Sequence, residues 1–261
     1  MGIKMKNRGQ MNIFIIAGVI LIVIIVLLFF YRGKLIPQLD FGKETNPNIF
    51  FESCIAGKVK EAIAIMSPQG GYIEPEFSFG FKFEKEKHQN ISYLCYTENN
   101  YIPCVNQEPM LIRHLKDEIK NYILEDVENC FDDLMSNLEK QDYVVNSSYE
   151  GFGIELIPKK ILVNIYGKII LTKTGETSKQ KNFEVRIPTM FYNLAVVAQE
   201  IVSQEAKYCH FEQMGLMLLN PEFELDKFKT GDSKTIYTLK HRKSGESFRF
   251  AVRGCVMPAG M

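Results

Sequence analysis

Residues 11–30 read MNIFIIAGVILIVIIVLLFF, and Asn12 is their only polar side chain. As a helix, at about 1.5 Å per residue, they reach about 30 Å, the thickness of a bilayer's hydrocarbon core. The β-branched residues disfavour a helix in water, but in lipid every backbone amide and carbonyl must be paired within the segment, which leaves helix as the expected state. A run this long without a polar face presents nothing to water, which argues against a buried helix of a soluble fold. The sequence therefore predicts a single N-terminal transmembrane helix, with the lipid bilayer as its first partner.

Working outward, Lys4, Lys6 and Arg8 precede the run with no acidic residue, while Arg32, Lys34 and Lys43 after it are diluted by Asp40 and Glu44. That bias places the N-terminus in the cytoplasm and the rest outside. All six cysteines and both Asn-x-Ser sequons, Asn90-Ile91-Ser92 and Asn146-Ser147-Ser148, lie downstream, where an oxidising, glycosylating side suits them. A cleaved secretory signal is the competing reading. It has an apolar core of about 7 to 15 residues and a small-x-small cleavage site; this run is longer, and no such site follows it.

The junction Arg8-Gly9-Gln10, followed at once by the apolar run, resembles the archaeal class III signal peptide of type IV pilin-like proteins. The resemblance covers about the first thirty residues. It implies that a membrane peptidase cuts after Gly9 and leaves Gln10 as the mature N-terminus. The family's Glu five residues into the mature chain is Phe14 here. Pilin-like subunits also continue the anchor helix into the head, whereas Gly33, Pro37, Gly42 and Pro47 interrupt it in this chain. The expected organisation is a basic leader at 1–10, the span at 11–30, a linker at 31–47 and an extracytoplasmic domain at 48–261. A change of pattern near residue 143 marks an internal division. The whole resembles tethered surface proteins of archaea.

Composition narrows the classes. Three of the 31 basic and none of the 31 acidic side chains lie in the first 31 residues, leaving 28 against 31 in the remainder. A nucleic-acid binder carries a strong basic excess, so nucleic acid is excluded as a partner.

The domain predicts α+β: three main helices packed on antiparallel sheets. Over 49–66, Phe51, Ile55, Val59, Ala62 and Met66 recur at helical spacing. Gly70-Gly71 follows a helix rather than a strand, so it reads as a stop and not a phosphate loop. Phe77, Phe79, Phe81 and Phe83 alternate with Ser78, Gly80 and Lys82, the period of a strand with one buried face. A second strand at 91–96 is followed by a turn at Glu98-Asn99-Asn100 and a partner strand. Residues 109–141 carry the longest apolar stripe, Ile112 to Leu138, with acidic residues mostly off it; a solvated face explains them better than a cation site.

From 143 to 188, five short alternating runs punctuated by Gly151, Gly153, Gly167 and Gly175 predict an antiparallel meander. A third helix spans 189–208, and strands follow near 223–229, 235–241 and 247–253. Ser178 and Lys181 have nucleophile-pair spacing but sit in a polar turn that would not desolvate the lysine. Gly231-Asp232-Ser233 shares residues with a hydrolase signature and reads more simply as a turn.

Six cysteines in an exported domain point to three disulfides, among about 15 connectivities. Element adjacency selects Cys54 with Cys130, Cys95 with Cys104, and Cys209 with Cys255. Zinc is the poorer reading, because no Cys-x-x-Cys occurs and only His210 of the four histidines (88, 114, 210, 241) neighbours a cysteine. No cofactor, metal ligand or catalytic residue is assigned; the glycosylation candidates are Asn90 and Asn146. The leading expectation is a non-enzymatic, membrane-anchored surface domain that binds a cell-envelope or surface protein. A pilin-like or secretion-assembly subunit stands second, and an extracytoplasmic enzyme without a linear motif third.

Overall fold

A computed structural model describes residues 46–257, together with Gly18, Leu21 and Ile22. The leader, Gly9 and Gln10, the rest of the 11–30 run and the linker up to residue 45 lie outside the described residues. The chain divides into two units, Met1–Gly42 and Lys43–Met261, and the elements below all belong to the second.

Helix α1, Pro47–Met66, starts where Asn46 accepts the Asn48 amide through its side chain and Pro47 pre-sets the first helical φ. It buries Phe51, Ile55, Val59, Ala62 and Met66 on one stripe. Gly70, at φ 75°, follows the short Ser67–Gln69 turn and ends it. Strands β1 (Ser78–Phe81), β2 (Gln89–Tyr96) and β3 (Val105–Asn106) come next, then helices α2 (Leu111–Tyr122) and α3 (Leu124–Glu139). Three long strands, β4 (Val144–Ile157), β5 (Lys160–Lys173) and β6 (Glu176–Pro188), precede α4 (Phe191–Tyr208) and α5 (Gln213–Leu219). Strands β7 (Phe223–Lys229), β8 (Thr235–His241) and β9 (Ser247–Arg253) close the fold.

Two sheets result: β4-β5-β6, and a six-stranded sheet ordered β1-β2-β9-β8-β7 with β3 also on β2. Helices α1, α2 and α3 pack against the meander and α4 against the larger sheet. Phe51 meets Phe183 of β6 with ring centroids 5.3 Å apart, and Phe191 of α4 meets Phe248 of β9 at 5.8 Å.

The expected architecture is corrected in several respects. Among the described residues no helix is long and apolar enough to cross a membrane, and the fold is α+β with five helices and two sheets. The two longest helices within residues 46–257 show why: α1 carries Glu52, Lys58, Lys60 and Glu61, and α4 carries Glu200, Glu205 and Lys207. The single helix expected over 109–141 is two, because Ile123 leaves helical geometry at φ −99°, ψ 7°. The stripe survives the bend, since the Ile123 amide still bonds Ile119 and its carbonyl still receives Val127.

The larger sheet is mixed rather than antiparallel, with β2 and β9 parallel. Strands so far apart in sequence have no hairpin to impose antiparallel pairing. The phenylalanine alternation forms a strand only at β1. Its rings are half-exposed and rest on Ile91, Tyr93, Ile236 and Ala251, so the buried face expected there is only partly covered. Finally, the five short runs of 143–188 merge into three strands, because Gly151 (φ 99°) sits in a bulge and not a turn.

Candidate functional site

The chain between α1 and β1 descends past the start of α2 and creates a cleft of about 370 Å³ lined by Tyr72, Glu74, Glu76, Phe77, Tyr93, Gln107 and Glu118. Its floor is fixed by hydrogen bonds from three separate stretches. The Ile73 amide donates to Glu118 Oε2 of α2 at 2.8 Å, and the Tyr72 hydroxyl donates to Glu108 Oε2 at 3.1 Å. His114 Nε2 donates to the Gly71 carbonyl at 3.0 Å, and its ring lies 4.2 Å from that of Tyr72.

The aromatic wall is equally fixed. Phe77 packs on Tyr93 at 5.2 Å and edge-on to Tyr96 at 4.8 Å, while the Tyr93 amide donates to the Phe77 carbonyl. Glu74 and Glu76 stand exposed at the rim. Burial pushes the Tyr72 hydroxyl's pKa well above the ordinary tyrosine value, and the negative charges of Glu108 and Glu118 raise it further. Burial likewise raises Tyr93, against an opposing pull from Lys234. A cleft that combines π-faces with several carboxylates favours a cationic group, which gains from both.

Two larger cavities offer less. One of about 430 Å³ lies between α1, α4 and the β8–β9 turn. Its one carboxylate, Glu246, is engaged: the Thr189 hydroxyl at 3.0 Å and the Met190 amide both donate to Glu246 Oε2, which fixes the turn to the N-terminus of α4. The other, about 520 Å³ beside Arg113, Lys116 and Glu155, is an open surface trough.

The structure brings together all three expected cysteine pairs. Cys54 and Cys130 join α1 to α3 with Cα atoms 6.2 Å apart, Cys95 and Cys104 close the β2–β3 loop at 5.3 Å, and Cys209 and Cys255 tie the end of α4 to the end of β9 at 5.7 Å. Asn90 and Asn146 are both exposed, on β2 and β4. Ser92 of the first sequon is buried at 1% exposure, whereas Ser148 of the second is exposed.

Ser178 and Lys181 lie three apart on β6 and so point to opposite faces. Asp232 of the Gly231–Ser233 turn pairs with Lys234 at 2.6 Å, which with Thr230 holds its carboxyl below the ordinary range. The four histidines are dispersed, and among the described residues no group of three or more His, Cys, Asp or Glu side chains is placed to hold a metal. Sequence reasoning missed Tyr72, Glu108, His114 and Glu118, which come from the loop after α1, the loop before α2 and α2 itself and form no linear motif. No family model, curated protein or solved structure matches the chain.

Proposed function

We propose that the domain is an exported, non-enzymatic binding module that engages a cell-envelope or surface protein, receiving a lysine or arginine side chain of that partner in the Tyr72–Glu118 cleft. The observation that carries this reading is the meeting of Tyr72, Phe77 and Tyr93 with Glu74, Glu76 and Glu118 around one cavity. An aromatic face over which a cation sits contributes about 0.5–2 kcal/mol, more as water is excluded, and adjacent carboxylates add charge-assisted hydrogen bonds. Three disulfides support an oxidising, extracytoplasmic location.

The test is a titration of the ¹⁵N-labelled full chain with N-acetyl-lysine methylamide and N-acetyl-arginine methylamide. Amide shifts should centre on residues 72–77 and 93, and the double variant Glu74→Gln/Glu76→Gln should weaken them several-fold. Equal shifts from the uncharged norleucine analogue, or none at millimolar ligand, would overturn the reading.

A further inference from the structure

The outward face of the meander's far half carries a second surface of opposite character. Inward positions Gly167, Ile169 and Leu171 of β5 are buried, so Tyr166, Lys168, Ile170 and Thr172 point outward. The register sets three rows across the sheet: Ser148–Lys168–Lys181, Asn146–Ile170–Lys179 and Val144–Thr172–Thr177. Lys168 and Lys181 thus stand directly opposite each other with Lys179 on the diagonal, and no carboxylate occupies any of the three rows.

None of these lysines has an ion-pair or hydrogen-bond partner among the described residues. Like charges directly opposite on a sheet are destabilising. Edge lysines that deter aggregation account for Lys179 and Lys181 on β6, but Lys168 lies on the central strand. The near half of the same face is balanced by contrast: Asn164 donates to Glu155 at 3.1 Å and Arg186 pairs with Glu184.

Tyr166 adjoins this patch and is 42% exposed. A Cβ on Gly153 would lie 2.8 Å from its hydroxyl oxygen and 3.5 Å from its Cε2 and Cζ, so the ring is laid across Gly153 on the sheet surface. An aromatic ring laid on a surface stacks against the C–H face of a sugar. Asn146, Ser148 and the Thr172–Thr177 hydroxyl pair, 3.1 Å apart, supply neutral hydrogen-bonding groups among the lysines. From Tyr166 to Thr172 the face runs about 20 Å at about 3.3 Å per residue, the reach of a short oligosaccharide. We infer that this face binds an acidic polysaccharide, with its carboxylate or sulfate groups on Lys168, Lys179 and Lys181 and one sugar ring stacked on Tyr166.

The experiment measures binding of the immobilised full chain to polygalacturonate and dextran sulfate, with neutral dextran, duplex DNA and phosphatidylglycerol vesicles as the other arms. One or both acidic polysaccharides should bind, neutral dextran should not, and affinity should fall with salt. Lys168→Gln/Lys179→Gln/Lys181→Gln should weaken binding at least tenfold and flatten the salt dependence. Tyr166→Ala should weaken it several-fold while leaving the salt dependence intact, which separates stacking from charge. Thermal unfolding of both variants confirms that they fold. Equal binding of neutral dextran, tighter binding of DNA or vesicles, or indifference to either set of substitutions would overturn the inference. The cleft variants Glu74→Gln/Glu76→Gln, in the loop before β1, should leave polysaccharide binding unchanged.

Discussion

Tyr237 is fully buried on β8, with its hydroxyl on Glu205 Oε1, the same oxygen that Lys227 approaches to 3.3 Å. Burial first, and then the Glu205 charge and hydrogen bond, push its pKa far above the ordinary tyrosine value. The neutral phenol is therefore the native form. Its contribution to stability is fully present below the unfolded-state pKa of about 10 and is lost as pH rises above it, because the unfolded chain ionises first. Above that point this residue alone should reduce unfolding free energy by about 1.4 kcal/mol per pH unit. Urea denaturation from pH 8 to 11 should show the fall, and Tyr237→Phe should flatten it while lowering stability at pH 8 by about 1.5–3 kcal/mol. An equally steep alkaline fall in the Phe variant would contradict this assignment.

The same scale shows what the sequence concealed. Tyr72, Glu108, His114 and Glu118 are ordinary residues in two loops and a helix. Only the return of α2 beneath the Gly70–Gly71 turn makes them a cleft. No spacing rule reports that, because the hydrogen bonds joining them span 36 to 45 residues.

At the scale of elements the meander is the clearest case. Alternation marked residues 143–188 as antiparallel β, yet its glycines suggested five short strands where three long ones form. Gly167 sits within β5 because a Cβ there would come 2.6 Å from the Ser148 carbonyl oxygen, not because the chain turns. Gly167→Ala should destabilise the domain by about 1–3 kcal/mol, since backbone and not a flexible side chain must give way. Gly231→Ala, with open space around its Cβ, should stay within about 0.5 kcal/mol. Urea midpoints of the two variants check the contrast.

The helices teach a related lesson. Apolar spacing located α1, the α2–α3 stripe and α4, because burying one face is a local pattern. The bend at Ile123 was invisible, as the stripe runs through it unbroken. Helix α5 escaped notice because the apolar residues of QMGLMLL are not on a buried stripe: Leu218 and Leu219 are 78% and 83% exposed.

Across the whole molecule the three disulfides differ in how much chain each one closes. Cys54–Cys130 closes a span of 76 residues, Cys209–Cys255 one of 46 and Cys95–Cys104 one of 9. If restriction of the unfolded chain dominates, removing them should cost about 4.5, 4 and 2.5 kcal/mol in that order. Paired Cys→Ala variants, compared by guanidinium unfolding, should follow the ranking. An inverted order would show native-state packing, not chain entropy, to be the larger effect.

By itself the sequence determined the α+β class of the domain, the stripes of its main helices and the strand character of residues 143–188, all set by the local period at which apolar side chains recur. Assigning cysteines to those elements also narrowed their pairing, since partners must lie on pieces that touch. The tertiary structure alone decided the parallel β2–β9 pairing, the bulges that fuse short runs into long strands, the cleft of Tyr72 and Glu118, and the lysines aligned across β5 and β6. Each of these depends on register or contact between distant residues, and a chain's local pattern carries no record of which distant partner it will meet.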